Sequence, residues 1–163
     1  MSFDVRPFKK SDFETLWKID QICFEPQLAY SRPEMAFYMR RPGAFTLVAE
    51  GSAEPGIPGA SAQGEISPRI LGFIVSEVQQ HKGHIITIDV IAEARRLGVG
   101  SALLLAAESQ LRAAGAEAVA LETAVTNDSA IRFYKQKGYF VERTVRGYYS
   151  NQLDALLMVK ALI

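Results

Sequence analysis

"EARRLGVGSALLLAAE", residues 93–108, sets two arginines and a Gly-x-Gly at the mouth of an apolar run that otherwise reads as a helix. Glycine costs a helix about 1 kcal/mol relative to alanine, so two in one first turn need a reason. A helix start leaves backbone N–H groups without intrahelical partners and carries partial positive charge, which suits an anion. In "RRLGVGS" (95–101), Gly98 and Gly100 let a ligand approach the backbone while Arg95 and Arg96 add charge. On this string alone two readings stand: a phosphate cradle, or glycines that let a helix pack closely on a strand. A Walker loop is excluded because no Gly-Lys-Ser/Thr follows, and the six-residue dinucleotide fingerprint is not met either.

Outward from this stretch, the chain before residue 92 is strand-rich and the chain after it alternates helix and strand. "ILGFIVSEV" (70–78) and "GHIITIDVIA" (83–92) read as β-strands joined through "QQHKG", a hairpin. Further upstream, 3–7 reads as a short edge strand, and Ser11 or Asp12 caps a helix carrying Phe13, Leu16, Trp17 and Ile19. A second short helix has Ser31 as cap, Pro33 in its first turn and Pro42-Gly43 as stop; "FTLVAE" (45–50) is a strand. The Gly/Pro-rich segment 51–69 reads as a flexible internal connection. Downstream, 98–114 is a helix with a Glu108–Arg112 pair one turn apart and Gly115 as stop. Then come a strand at 118–123, a helix at 127–138 ended by Gly138, and a closing antiparallel pair, "YFVERTVRGYYS" with "LDALLMVKAL". The predicted order is β-α-α-β-β-β-α-β-α-β-β.

A chain of 163 residues is the size of one domain with one core. Lys+Arg and Asp+Glu both number 18, so no global field draws nucleic acid or an anionic membrane. Cys23 is the sole cysteine, which excludes an internal disulfide and a cysteine-built metal cluster and fits a reducing compartment. No apolar run reaches the roughly 20 residues of a membrane span, and the start lacks the pattern of a secretory signal. The expectation is a cytoplasmic protein, monomeric or weakly dimeric, with no metal.

Arg95-x-x-Gly98-x-Gly100 resembles the pyrophosphate loop of the GNAT N-acetyltransferase family, and "TNDSAIRFYKQKGY" (126–139) resembles that family's second motif. In it Asn127, Ala130, Tyr134 and Gly138 are in register, and Tyr139 replaces the usual phenylalanine. The resemblance covers 84–139 closely and the rest loosely, and is nearest to the ribosomal-protein-alanine N-acetyltransferase branch. It implies an α/β fold with a mixed, mostly antiparallel sheet of six or seven strands and about four helices. It also implies acetyl-CoA as cosubstrate. By position, the backbone of Ile88, Asp89 and Val90 meets the pantetheine arm, and Arg95, Arg96, Leu97, Gly98, Val99, Gly100 and Ser101 hold the pyrophosphate.

Acetyl transfer to an amine needs a neutral amine, a polarised carbonyl and a proton for the departing thiolate. Asn127, Ile131 and Tyr134 share one helical face, so an Asn127 that meets the cosubstrate sets Tyr134 about 10 Å further along it. A phenol with pKa about 10 is protonated at neutral pH and can return a proton to sulfur. Glu122, in "LET" on an otherwise apolar strand, matches by position the branch's catalytic glutamate, a base. His84 falls where some relatives carry a catalytic tyrosine; we read it as a surface or hairpin-end histidine. Tyr148 and Tyr149 in "RGYYS" resemble one wall of the branch's peptide slot, with Leu28 and Tyr30 of "QLAYS" opposite.

At pH 7 an α-amino group is about one tenth neutral, whereas a lysine is neutral in only about one part in several thousand. A modest base therefore suits a protein or peptide N-terminus, such as that of a ribosomal protein. A small-molecule amine is the alternative acceptor, and a catalytically silent acyl-CoA-binding sensor is a third reading.

Overall fold

The computed structural model describes residues 2–52 and 68–163. Among these, seven strands and four α-helices follow the expected order: β1 (Phe3–Pro7), α1 (Phe13–Cys23), α2 (Arg32–Met39), β2 (Ala44–Ser52), β3 (Pro68–Gln79), β4 (Lys82–Val90), α3 (Val99–Ala113), β5 (Ala118–Ala124), α4 (Asp128–Gln136), β6 (Phe140–Val145) and β7 (Ala155–Ala161). Most of the connection expected over 51–69 lies outside the described residues. Its two ends are strand, with Ser52 closing β2 and Pro68 opening β3.

The strands form one sheet in the order β1-β2-β3-β4-β5-β7-β6. Every neighbouring pair is antiparallel except β4 and β5, which run parallel because α3 carries the chain from one to the other. That parallel ladder covers only Lys82–Ala118, Gly83–Val119 and His84–Ala120. Beyond His84 the strands part, leaving the β5-facing edge of β4 unladdered up to Val90. β7 pairs with β5 along its whole length, which closes the far side of the gap.

The core lies on both faces of β3, where Leu71, Phe73, Ile74 and Val75 are all buried. Helices α1 and α3 both pack against β3 and β4. The face of α3 bearing Val99, Leu103, Leu104, Ala107 and Leu111 is buried, and its large aliphatic side chains contribute about 1.5–3 kcal/mol each. Ser31 caps α2 as expected: its Oγ accepts the Glu34 N–H at 3.2 Å and Glu34 Oε1 accepts the Ser31 N–H at 3.1 Å.

Three local expectations are corrected. The β3–β4 turn is a two-residue one, Gln80 and His81, both with positive φ despite carrying side chains. Asp12 precedes α1 without capping it; its carboxylate accepts the Lys9 N–H and the Arg6 guanidinium instead. Glu108 does not pair with Arg112. It is buried and accepts from the Tyr139 hydroxyl at 2.7 Å and Lys160 Nζ at 3.0 Å, while Arg112 donates to the Leu162 carbonyl. The Tyr139 that replaces phenylalanine in the motif therefore has a partner, because a buried hydroxyl needs one.

Candidate active site

At the end of β4 the chain makes a short 3-10 turn, Ala92–Ala94, and then bends through two left-handed residues, Arg96 (φ 65°) and Gly98 (φ 86°), into α3. Gly98 is the N-cap and offers no side chain to the first turn. The first helical bond is Ala102 N–H to Gly98 O at 3.0 Å, which leaves the amides of Val99, Gly100 and Ser101 pointing past the helix start. No acidic residue occupies that turn. A Cβ at Gly98 would meet nothing within 4 Å, and one at Gly100 would only touch Phe133 and Val90. The cradle is thus open, electropositive and lined by backbone, which fits a pyrophosphate. Arg95 serves it indirectly: its Nε donates to the Val90 carbonyl at 3.1 Å, pinning the loop to the end of β4. Arg96 and Leu97 are exposed beside it.

Asn127 is the N-cap of α4, its Oδ1 accepting the Ala130 N–H at 3.2 Å. One helical face further on, Tyr134 is 7% exposed and packs edge-on against Tyr139. Burial above all, and then the nearby Asp89 and Tyr149, raise its pKa well above the ordinary phenol value. Its hydroxyl therefore stays protonated at neutral pH.

Glu122 projects from β5 just past the point where β4 departs. His84, on β4, donates its Nε2–H to Glu122 Oε2 at 2.7 Å. On the other side, His84 Nδ1 lies 3.6 Å from Glu77 Oε1 on β3, and Arg41 Nε lies 3.3 Å from Glu77 Oε2. Burial alone would lower the His84 pKa, but the hydrogen bond to Glu122 and the charges of Glu122 and Glu77 outweigh it and raise it. His84 is thus no hairpin-end histidine; it is half-buried and part of the site. Glu77, 5% exposed, was not anticipated at all. Counting the hairpin as a two-residue turn would have found it, since Glu77 is then directly opposite His84.

The two expected walls of the acceptor groove meet. Ser150 Oγ donates to the Gln27 carbonyl at 2.7 Å, bridging the segments that carry Tyr148, Tyr149, Leu28 and Tyr30. Tyr148 and Tyr149 pack edge to face at 4.9 Å between ring centroids. Burial and then the Glu122 charge push the Tyr149 pKa up to about 12. Tyr30 is fixed through its backbone: its carbonyl accepts from Trp17 Nε1 and Gln21 Nε2, and its N–H donates to Asp20.

Residues 13–139 match the model of the Acetyltransferase (GNAT) family, and the chain belongs to that family. It is 32% identical to an N-alpha-acetyltransferase of Sulfurisphaera tokodaii, over 98% of this chain and 93% of that protein. The fold matches the crystal structure of Ard1 from Thermoplasma volcanium with TM-score 0.82 and 26% identity, over 100% and 99% of the two chains. It also matches the ribosomal-protein-S18-alanine N-acetyltransferase of Escherichia coli with TM-score 0.78 and 19% identity, over 99% and 94%. The protein is an acetyl-CoA-dependent N-acetyltransferase. No helix among the described residues is long and apolar enough to cross a membrane.

Proposed function

We propose that the protein acetylates the N-terminal α-amino group of a protein or peptide, with Glu122 and His84 as the proton-accepting pair and Tyr134 as the acid. The observation that carries this reading is the 2.7 Å His84–Glu122 hydrogen bond at the point where β4 and β5 separate. It supports the reading because it gives Glu122 one oxygen oriented by a neighbouring imidazole at the opening between the two strands. The names of relatives that match most of the chain support the same acceptor class.

In this reading the amides of Val99, Gly100 and Ser101 hold the pyrophosphate, and the backbone of Ile88 and Asp89 aligns the pantetheine arm. The Val90 carbonyl is already used by Arg95 and Cys23, so Val90 has less to offer that arm. The α-amine attacks the thioester carbonyl carbon, a C–N bond forms and the C–S bond breaks. Glu122, oriented by His84, takes the proton lost by nitrogen, and Tyr134 protonates the departing sulfur. An α-amine, already about one tenth neutral at pH 7, needs no stronger base. Leu28 and Tyr30 face Tyr148 and Tyr149 across the first residues of the acceptor.

The test incubates purified protein and acetyl-CoA with Ala- and Ser-starting peptides, the same peptides N-terminally blocked, and a panel of small amines, with products located by mass spectrometry. Acetyl groups on free peptide N-termini alone are expected. Acetylation confined to lysines or small amines contradicts the reading.

A further inference from the structure

Two carboxyl groups beneath the acceptor groove are buried together. Asp20 on α1 is 0% exposed and Asp89 on β4 is 1% exposed, and the two lie within hydrogen-bonding reach of each other. Asp20 Oδ2 accepts the Tyr30 N–H at 2.8 Å, and Asp89 Oδ1 accepts the Thr87 hydroxyl at 2.6 Å. The oxygens left over, Asp20 Oδ1 and Asp89 Oδ2, are shut off from solvent and have no N–H or O–H donor among the described residues. Two facing lone pairs on two anions would repel in a site that water cannot screen. One proton between them turns the same geometry into a short charge-assisted hydrogen bond.

The partners decide where that proton sits. Asp20 holds a backbone N–H, which favours its charged form, whereas Asp89 has only a hydroxyl donor. Burial first, and then the bond to Asp20, holds the Asp89 carboxyl well above the usual carboxylate range. The other ionisable groups around the pair are Glu34 of α2, the Cys23 thiol of α1, Tyr30, and Tyr134 of α4. The Arg95 guanidinium lies against the Cys23 sulfur at 3.9 Å.

We propose that Asp89 and Asp20 share one proton, and that this acid–carboxylate bridge is a positioning device that ties the Tyr30 wall of the acceptor groove to the strand that presents the acetyl group. The bridge joins α1 to β4 side chain to side chain, and its outer oxygen holds the Tyr30 amide. The positioning role rests on the reading that this wall contacts the acceptor. Losing the proton at high pH sets two buried anions against each other and moves the wall, so the acceptor KM rises while the cradle at 95–101 still holds acetyl-CoA.

Asp89→Asn is the informative variant, because an amide keeps an oxygen for Thr87 and gives Asp20 Oδ1 an N–H that cannot titrate. Asp89→Leu keeps the branching at Cγ but removes both the donor and the oxygen that accepts from Thr87. Infrared spectra of ¹³C-aspartate-labelled protein at neutral pH should show a label-sensitive protonated-carboxyl band that Asp89→Asn abolishes and the exposed Asp128→Asn leaves. Acceptor KM should rise about tenfold or more in Asp89→Leu and several-fold less in Asp89→Asn, in each case by more than the acetyl-CoA Kd, which reads any disturbance of the Asp89 backbone. The wild-type acceptor KM should climb relative to that of Asp89→Asn as pH rises into the alkaline range, the comparison cancelling the acceptor's own deprotonation. Absence of the band overturns the shared proton, and so does an alkaline rise in Asp89→Asn equal to wild type, even where Asp89→Leu does not fold. A wild-type acceptor KM in Asp89→Leu overturns the positioning role. The KM series uses whichever amine the protein acetylates, so a different acceptor class leaves this test standing and fails only the α-amine reading.

Discussion

His84 and Glu122 join two strands where the sheet comes apart: the last rung of the β4–β5 ladder pairs His84 with Ala120, and Glu122, two residues on, accepts the His84 Nε2–H at 2.7 Å. A side-chain hydrogen bond thus replaces the missing backbone ladder at the mouth of the gap. The same contact fixes which Glu122 oxygen faces His84.

This pair predicts a pH-dependent stability. The folded His84 pKa is raised above its unfolded value of about 6.5, so its contribution is fully present below that pH and is lost as pH rises through the folded value. In denaturant titrations, the stability advantage of wild type over His84→Gln should shrink as pH rises through that window. NMR titration of His84 in Glu77→Gln should give a lower pKa than wild type, since one of two flanking carboxylates is neutralised.

Tyr134→Phe keeps the ring that packs on Tyr139 and removes only the hydroxyl. The expected result is a fall in kcat of about 10²-fold or more, with acetyl-CoA affinity by calorimetry within a few-fold of wild type. A loss of binding with kcat intact would assign Tyr134 to holding the cosubstrate.

Gly98 stands at φ 86° with nothing within 4 Å of a Cβ position, so Gly98→Ala is strained by conformation and not by crowding. The strain of about 1–2 kcal/mol should tilt the loop and weaken acetyl-CoA binding by about 5- to 30-fold. Calorimetry with acetyl-CoA reads this directly, and acceptor selectivity should not change.

The order of elements was legible because each boundary carries local chemistry: Ser31 with Glu34 at one helix start, Asn127 at another, and Gly115 and Gly138 at left-handed helix ends. The cradle was legible for the same reason, since Arg95-x-x-Gly98-x-Gly100 is a contiguous string. The His84–Glu122 contact proposed as the acid–base centre was half legible. Glu122 stands out as a carboxylate on an apolar strand, but its partner depends on a register between strands 38 residues apart, which no local pattern encodes. His84 and Glu77 were hidden further because the hairpin turn uses Gln80 and His81 at positive φ, where Asn-Gly would have announced a two-residue loop. Glu108 misled for a related reason: Arg112 one turn away offered a local partner, and the actual partners, Tyr139 and Lys160, come from the chain's last quarter.

The central claim is that Glu122 is the base for acetylation of an α-amine, and kcat/KM for an Ala-starting peptide in Glu122→Gln against wild type tests it most directly. An amide keeps the shape and can still meet His84 but cannot take a proton, so kcat/KM should fall by about 10²- to 10⁴-fold with acetyl-CoA affinity retained. Wild-type kcat/KM in Glu122→Gln, on a protein that binds acetyl-CoA normally, would contradict the account.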